Sequence, residues 1–367
     1  MGQKKDINNQ YTNNPLETLL NDYNIRGWML GVNRDYAKTS GTGTSYFGFD
    51  LGYDKQEIKA TGATAIGNFA ASAFNGNITG MVWKSTGDDE IRKYDFTYDA
   101  ANRIKTADFN QYTGGAFSKT AGMDFSVSDM EYDANGNIMK MYQKGWKLGG
   151  SVFIDKLQYY YYSNSNKLKT VIDNENDPQT KLGDFRSSQE YMSFLNNNKT
   201  TSATDYEYDA NGNLNVDLNK NIYDWHNIDG DWVDGIKYNH LNLPFKIIAH
   251  PSNGNGTITY IYDAAGNKLE KRVHEEPAAA NNNQEKNTTT TYIGGFVYEN
   301  DKLQFFAHEE GRARVSEQTI ASSYFCSDCP PPGDVPVTTY TATRIYLFDY
   351  FIKDHLGNTR MVLTDER

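Results

Sequence analysis

Two cysteines and six histidines are the side chains of this 367-residue sequence that most often bind metals or act as nucleophiles. Cys326 and Cys329 form a Cys-x-x-Cys pair, a spacing that supplies half of a zinc site. A zinc site needs two further ligands, and the chain has no second pair of this kind. We therefore favour a local disulfide or two free thiols in a proline-rich loop. The histidines are scattered, at His226, His240, His250, His274, His308 and His355.

Adjacent carboxylates, which could act as general acid and base, occur at Asp88–Asp89 and Glu309–Glu310. Both pairs lie in polar stretches, and solvated loops are the simpler interpretation. The chain contains no G-x-S-x-G, H-E-x-x-H or phosphate-binding loop motif. The sequence thus predicts no catalytic residue, no cofactor and no metal site, and we expect that the protein is not an enzyme.

A heptad that begins with tyrosine and aspartate recurs along the chain and indicates the elements that organise it. The closest copies are YDAANRI from Tyr98, YDANGNI from Tyr132, YDANGNL from Tyr208 and YDAAGNKL from Tyr262. Looser copies begin at Tyr23, Tyr162 and Tyr238. The tyrosines at 98, 132, 162, 208, 238 and 262 are 34, 30, 46, 30 and 24 residues apart. Two strands and a tight turn occupy ~20–30 residues, so each period predicts about one β-hairpin.

Each residue type in the heptad has a structural task. The tyrosine ends a strand, the aspartate accepts backbone N–H groups of the turn, and Asn-Gly or Ala-Gly supplies the positive φ of a tight turn. The apolar residue that follows (Ile138, Leu214 or Leu269) starts the return strand. The pattern lacks the alternating ligands of an EF-hand calcium loop. With the similar DHLGNTR segment, the residues to which we assign structural roles are Tyr98, Asp99, Tyr132, Asp133, Gly136, Asn137, Tyr208, Asp209, Gly212, Asn213, Tyr262, Asp263, Gly266, Asn267, Asp354, Gly357 and Arg360.

The composition fits strands joined by turns. The chain has 27 Tyr, 18 Phe and 31 Gly but only 9 Pro, and tyrosine favours half-buried pleated surfaces. Its formal charge, 36 − 47 = −11, repels phosphate and argues against nucleic-acid binding. No apolar run reaches the ~20 residues of a transmembrane helix, and the first residues lack the apolar core of a signal peptide.

Helices are predicted at two places only. One covers residues 187–196, with Ser187 as cap and Glu190 completing a capping box, and the other begins near Pro15. Residues 275–289 and 322–337, which are rich in asparagine or proline, are expected to be loops that leave the array without dividing it.

The repeats resemble those of the RHS/YD-repeat family, close to its large Bacteroidetes members. Further support comes from YFGFDLGYD at 46–54, FNGNITGMVWKS at 74–85 and DHLGNTR at 354–360. The resemblance covers the chain from about residue 19 to the end. It implies a leader or disordered segment at 1–18, a repeat array at 19–345 and the start of the family's core segment at 346–367. The family's self-cleaving aspartate site is not carried over, because the Asp177-Pro178 pair is followed by Gln-Thr.

The resemblance implies an all-β strip of sequential antiparallel hairpins that curves into part of a spiral shell. Such shells enclose or display a C-terminal toxin or effector in secreted or cell-surface proteins, and their partners are flanking repeat and core segments. The alternative is an adhesion module that binds cell-surface glycan through exposed aromatic side chains, with Tyr161, Trp225 and Trp232 as candidates. A chain of this length gives about twelve hairpins, or roughly two dozen strands. We therefore expect a curved, open sheet with unpaired edges and exposed rows of tyrosine and phenylalanine.

Overall fold

A computed structural model describes residues 15–147, 149–175, 183–225, 232–250, 254–326 and 335–364, and the side chains of these residues except those of 318–342. Within these ranges the protein has 25 strands and two short α-helices, and all hydrogen-bonded neighbouring strands are antiparallel. The sheets are built from sequential hairpins and are not closed barrels, which confirms the predicted all-β strip. No helix in the described part of the chain is long and apolar enough to cross a membrane.

The first sheet has eleven strands in the order β1-β2-β3-β6-β7-β8-β10-β11-β12-β13, with β9 paired to β8, while β4 and β5 pair only with each other. The bounds are β1 (Asn21–Tyr23), β2 (Met29–Val32), β3 (Phe47–Gly52), β4 (Glu57–Ile58), β5 (Gly67–Asn68), β6 (Gly80–Ser85), β7 (Arg92–Tyr98), β8 (Ile104–Thr113), β9 (Ala116–Ser118), β10 (Val127–Tyr132), β11 (Ile138–Lys147), β12 (Gly150–Tyr161) and β13 (Leu168–Asp173).

A separate hairpin, β14 (Tyr206–Tyr208) with β15 (Leu214–Asp217), follows the first sheet and precedes a sheet of ten strands in sequence order. The ten strands are β16 (Ile236–Tyr238), β17 (Pro244–Ala249), β18 (Gly256–Tyr262), β19 (Lys268–Glu275), β20 (Lys286–Ile293), β21 (Phe296–Glu299), β22 (Lys302–His308), β23 (Gly311–Cys326), β24 (Val335–Lys353) and β25 (Thr359–Thr364). The division between 345 and 346 falls inside β24.

The two helices differ in detail from the prediction. The second helix, α2 (Gln189–Phe194), has Ser188 as its N-cap, and the Ser188 side chain accepts a hydrogen bond from the backbone N–H of Tyr191. The predicted cap at Ser187 was wrong, because the Ser187 hydroxyl instead donates to Asn219 Oδ1. The first helix, α1 (Arg34–Ala37), was not predicted.

The helix predicted near Pro15 is absent. Residues 15–20 are not helical, and the chain enters β1 at Asn21. The Glu17 carboxylate is buried and accepts the backbone N–H of Tyr46 at 2.8 Å, which ties this segment to the sheet and leaves no room for a free helix. Residues 1–14, the rest of the predicted leader, lie outside the described residues.

Both segments predicted as loops begin and end in strand residues. β19 continues to Glu275 and pairs with β20, whose threonines favour a pleated surface, so the connection shrinks to residues 276–285. β23 and β24 pair continuously up to Cys326 opposite Val335. Threonine, valine and tyrosine favour strands, and here each strand has a partner, so the asparagine and proline content misled the prediction. Cys329 lies outside the described residues.

The two ends of the strip pack against each other through side chains, although β1 and β25 remain unpaired sheet edges among the described residues, as expected. Phe47, Phe49 and Leu51 alternate along β3 and so share one face of it. The side chains of Ile352 in β24 and Leu363 in β25 pack into the same buried cluster as these three residues. The C-terminal hairpin thus covers aromatic residues that an open strip would expose.

The opposite face of the N-terminal strands is covered as well. The β4–β5 hairpin lies between β3 and β6 in sequence, and its Ile58 and Phe69 form a buried cluster with Val82 and Ile91. Strands β16–β22, in contrast, are mostly half-buried on both faces. In these strands only Ile236 and Ile248 are buried. This part of the strip is one layer thick.

The contact between the two ends predicts that a change in β24 destabilises β3. Ile352 is fully buried, so Ile352→Ala should cost ~2–5 kcal/mol through lost burial and a residual cavity. We expect faster hydrogen exchange of the β3 amides, measured by mass spectrometry. Val362→Ala in β25 is the matched control, because Val362 is 48% exposed. Unchanged β3 exchange in Ile352→Ala would show that the two ends are energetically independent.

Candidate functional site

The repeated turn lies where the sequence analysis placed its structural residues. Nearly all of its polar groups form hydrogen bonds within the turn itself. Asp133 Oδ1 accepts the backbone N–H groups of Asn135 and Asn137 at 2.9 and 2.8 Å. Asp133 Oδ2 accepts the Asn137 side-chain amide at 2.7 Å, and Gly136 has a φ of 91°. The hydrogen bond from Asn137 holds the pKa of Asp133 below its usual value. The carboxylate is therefore committed to its own turn.

The other motif turns follow the same geometry. Asp209 and Asp263 accept equivalent bonds from Asn213 and Asn267. Asp99 accepts from the backbone and guanidinium of Arg103, and these bonds lower the pKa of Asp99. Asp354 accepts from Asn358 and Arg360. The positive φ is supplied by Gly212 at 89°, Gly266 at 85°, Gly357 at 84° and, in the copy without glycine, Asn102 at 61°.

The motif tyrosines bind the preceding turn, an arrangement that the sequence analysis did not predict. In each case the tyrosine hydroxyl donates to a backbone carbonyl at the start of the return strand that follows the previous turn. The acceptor is the first residue of that strand or, for Ile78, lies two residues before it. The distances lie between 2.6 and 3.2 Å. The bonds run from Tyr53 to Met29, Tyr98 to Ile78, Tyr132 to Ile104, Tyr161 to Ile138, Tyr208 to Leu168, Tyr238 to Leu214 and Tyr262 to Pro244. We call this row of seven bonds the tyrosine spine.

The tyrosine spine continues where strand pairing between sheets stops and single backbone hydrogen bonds remain, from Asp205 to the Lys169 carbonyl and from Gly235 to the Asn215 carbonyl. No strand pairing joins β13 to β14 or β15 to β16 among the described residues. At the first interruption Tyr208 donates to the Leu168 carbonyl at 3.0 Å, and at the second Tyr238 donates to the Leu214 carbonyl at 2.7 Å. The spine therefore joins three sheets into one strip.

One turn of the spine is divided by an insertion. Tyr53-Asp54 supplies the start of the motif, and Asn75-Gly76-Asn77-Ile78 supplies its end. Tyr53 donates to the preceding turn, while Ile78 accepts from the following tyrosine. Residues 55–74, which contain β4 and β5, interrupt the motif. The NGNI tetrapeptide was the available signal, but its distance from Tyr53 concealed the pairing.

The copy that was assigned to Tyr162 is shifted by one residue. Tyr161 pairs with Leu168 across the turn and donates to the spine, as the motif tyrosines do. Tyr162 takes the aspartate position, and its backbone N–H donates to the Lys167 carbonyl at 2.9 Å. The turn is one residue longer than in the other copies, which sequence spacing alone did not reveal.

Neighbouring turns also contact each other through side chains, in two ways. Asn135 and Asn137 both donate to Asn166 Oδ1, at 3.0 and 2.9 Å. Equivalent pairs are Asn75 and Asn77 with Asn102, and Asn211 and Asn213 with Asn242. In the other type, Arg103 donates to the Asp133 carbonyl at 3.0 Å and lies over the Tyr132 ring, 4.6 Å from its centroid. From turn 75–78 to turn 162–168 the two types alternate.

The described histidines contact different neighbours: His250 stacks on Tyr223, and His274 Nδ1 lies 3.0 Å from Asn287 Oδ1. His355 lies against Phe49, and burial lowers the pKa of its imidazole. His226 lies outside the described residues. Of the glycan candidates, Tyr161 belongs to the spine, whereas Trp225 is 55% exposed. Sequence analysis missed one group, Asp155, Asp173 and Asp184, because their spacing follows no motif.

Comparison of the chain with protein-family models and with curated proteins finds no match.

Removal of a spine hydroxyl should destabilise the strip most where the neighbouring strands are not paired. Tyr208→Phe should cost about 1 kcal/mol and leave the Leu168 carbonyl without its donor. We expect faster hydrogen exchange in β13 and β14. Tyr262→Phe is the matched change inside a continuous sheet, where β17 and β18 are paired over four residues, and should have a smaller effect. Equal exchange in the two variants would show that the hydroxyl does not join the sheets.

Proposed function

We propose that this chain is a structural scaffold, a stretch of shell wall that encloses or displays a polypeptide joined to it. The observation that carries the proposal is the tyrosine spine. It commits the tyrosine hydroxyl of each repeat to the neighbouring repeat, and the aspartate to its own turn. Polar groups used in this way stabilise a continuous strip and are not free for a substrate.

The thickness of the strip supports the same function. In β18, Gly256–Tyr262, every residue is half-buried, so neither face is covered as it would be in a globular core. A stable single layer needs strong contacts between neighbouring hairpins, as in other repeat proteins, in which each unit is stabilised by the next. The spine supplies such contacts at seven successive turns, up to the one that Tyr262 begins. A wall with two accessible faces can present one to an enclosed chain and the other to solvent.

The C-terminal hairpin supports a role in closing the strip. Its turn carries the DHLGNTR motif, in which the Asp354 carboxylate is buried and bonded to Arg360. Next to it, His355 contacts Phe49 of β3. The repeat motif is thus used both between neighbours and where the strip returns to its beginning. This arrangement is suited to a curved wall and not to an extended filament. The resemblance to RHS/YD-repeat proteins points in the same direction.

A protection experiment tests the proposed function. An unstructured reporter segment with one protease site is fused after Arg367, and its cleavage rate is compared with that of the free reporter peptide. If the strip encloses a polypeptide joined to this end, cleavage should slow by about tenfold or more, because the protease must wait for the wall to open.

The double variant Tyr208→Phe/Tyr238→Phe is the control, since it removes the two spine bonds that cross the interruptions between sheets. It should restore fast cleavage of the reporter. If the reporter on the unaltered chain is cut at the rate of the free peptide while the strip itself stays intact, the enclosing role is wrong.

A binding module is the second candidate, because one exposed aromatic group favours it. Phe194 is 51% exposed and Trp225 55% exposed. The Trp232 ring lies 5.4 Å from Phe194 and 4.7 Å from Tyr223, both in edge-to-face contact. Exposed aromatic faces suit the apolar faces of sugar rings. Aromatic residues in strands more often serve cross-strand packing, so this function rests on less than the first.

A glycan array probed with the labelled chain tests the second candidate. If the aromatic group binds sugar, Trp225→Ala should abolish any signal, while Phe296→Ala, an exposed aromatic residue elsewhere in the strip, should leave it unchanged. A signal that survives Trp225→Ala would place binding elsewhere, and an empty array would argue against this candidate.

A further inference from the structure

Three aspartates from separate parts of the sequence meet at the end of the first sheet. Asp173, the last residue of β13, pairs with Leu157 of β12. Asp155 lies two residues before Leu157, so the two aspartates share one face of the sheet. The third, Asp184, is held there by its neighbour Phe185, whose backbone N–H donates to Asp155 Oδ1 at 2.7 Å.

The distances among the three carboxylates suit a shared cation. One oxygen from each lies within 4.8 Å of the other two. Calcium binds oxygens at about 2.3–2.6 Å, so ligands on opposite sides of one ion lie up to about 5 Å apart. Asp155 is 3% exposed, and the Asp184 side chain is fully buried. The group is therefore withdrawn from solvent that would otherwise screen its charge.

Hydrogen bonds from the protein satisfy only part of this group. Asp173 Oδ1 accepts the backbone N–H groups of Lys156 and Glu175 at 2.8 and 3.0 Å. Asp184 Oδ2 accepts from Arg186 Nε at 2.7 Å. Asp184 Oδ1, in contrast, is buried and accepts no hydrogen bond. A buried carboxylate oxygen without a donor is costly, and a cation at this position would remove the cost.

Like charges lie close together in the group. Arg186 pairs with Asp184 at 2.7 Å, while Lys156 pairs with Glu175 at 2.8 Å. Burial, together with the charges of Asp155 and Asp184, raises the pKa of Asp173 to about 6. A divalent cation would stabilise three carboxylates that are held this close to one another.

We propose that Asp155, Asp173 and Asp184 bind one hard divalent cation of the calcium class. All three ligands are carboxylates, which calcium prefers, and the cation would give the buried Asp184 Oδ1 a partner. The cation would fasten residues 183–186 to β12 and β13, where strand pairing of the first sheet ends. The proposal does not depend on the function of the strip.

Binding to the full chain tests this site directly. The protein is treated with EDTA, exchanged into metal-free buffer at pH 7.5 and titrated with CaCl₂ in a calorimeter, with MgCl₂ in a parallel titration. Tb³⁺ luminescence, sensitised by tyrosines of the sheet such as Tyr159, gives a second measure. We expect one Ca²⁺ per chain, weaker binding of Mg²⁺, and a higher Tm with Ca²⁺ because binding favours the folded state.

Asp184→Asn and Asp155→Asn should each weaken Ca²⁺ binding by about tenfold or more, because affinity depends on the charge of the ligands. Without Ca²⁺, Asp155→Asn should be at least as stable as the unaltered chain at pH 7.5, since it relieves repulsion and its amide oxygen can still accept the Phe185 N–H. Its lost binding would then not reflect unfolding. Asp108→Asn in β8 is the matched control, because Asp108 is 52% exposed and pairs with Lys119. Its binding should be unchanged.

The outcome that overturns the proposal is the absence of a site. It is wrong if neither calorimetry nor Tb³⁺ luminescence detects binding to the unaltered chain, or if Asp155→Asn and Asp184→Asn bind Ca²⁺ as tightly as the unaltered chain does.

Discussion

The strip depends on one hydrogen bond, from the hydroxyl of a motif tyrosine to a backbone carbonyl of the turn before it. A hairpin alone is marginally stable, and a single-layer sheet has little core to add. Each hydroxyl fixes the position of its turn relative to the previous one, and at Tyr208 and Tyr238 it does so without strand pairing. Tyrosine is suited to this task because its ring packs on the sheet while its hydroxyl reaches a carbonyl.

The motif divides the work between its residues. The aspartate shapes its own turn, the glycine or asparagine permits positive φ, and the tyrosine connects turns. Side chains at the next positions add a second contact, either a pair of asparagines on Asn166 or a cation such as Arg103 on the following turn. Every repeat is therefore linked to its neighbour at the turns as well as along the strands. This explains how strands that are half-buried on both faces form a stable wall.

Two insertions change the strip without breaking the spine. Residues 55–74 divide a turn and cover one face of the first strands through Ile58 and Phe69. Residues 174–205 separate β13 from β14, yet Tyr208 still reaches Leu168. The aspartate group lies at the start of this second insertion, where a bound cation would compensate for the missing strand partner. The spine thus continues across both insertions, beside the pairing of β3 with β6 at the first and without strand pairing among the described residues at the second.

The sequence by itself determined the class of fold and the chemistry of the turns. Local residue types decide these features: Asp133 bonds its own turn, and Gly136 adopts the φ that the turn requires. Features that depend on remote residues needed the tertiary structure. The shift from Tyr162 to Tyr161 and the divided motif at Tyr53 depend on which carbonyl lies opposite each hydroxyl. The contact of Ile352 with Phe49 and the meeting of three aspartates depend on the curvature of the strip, which accumulates small twists over many strands and leaves no local pattern in the sequence.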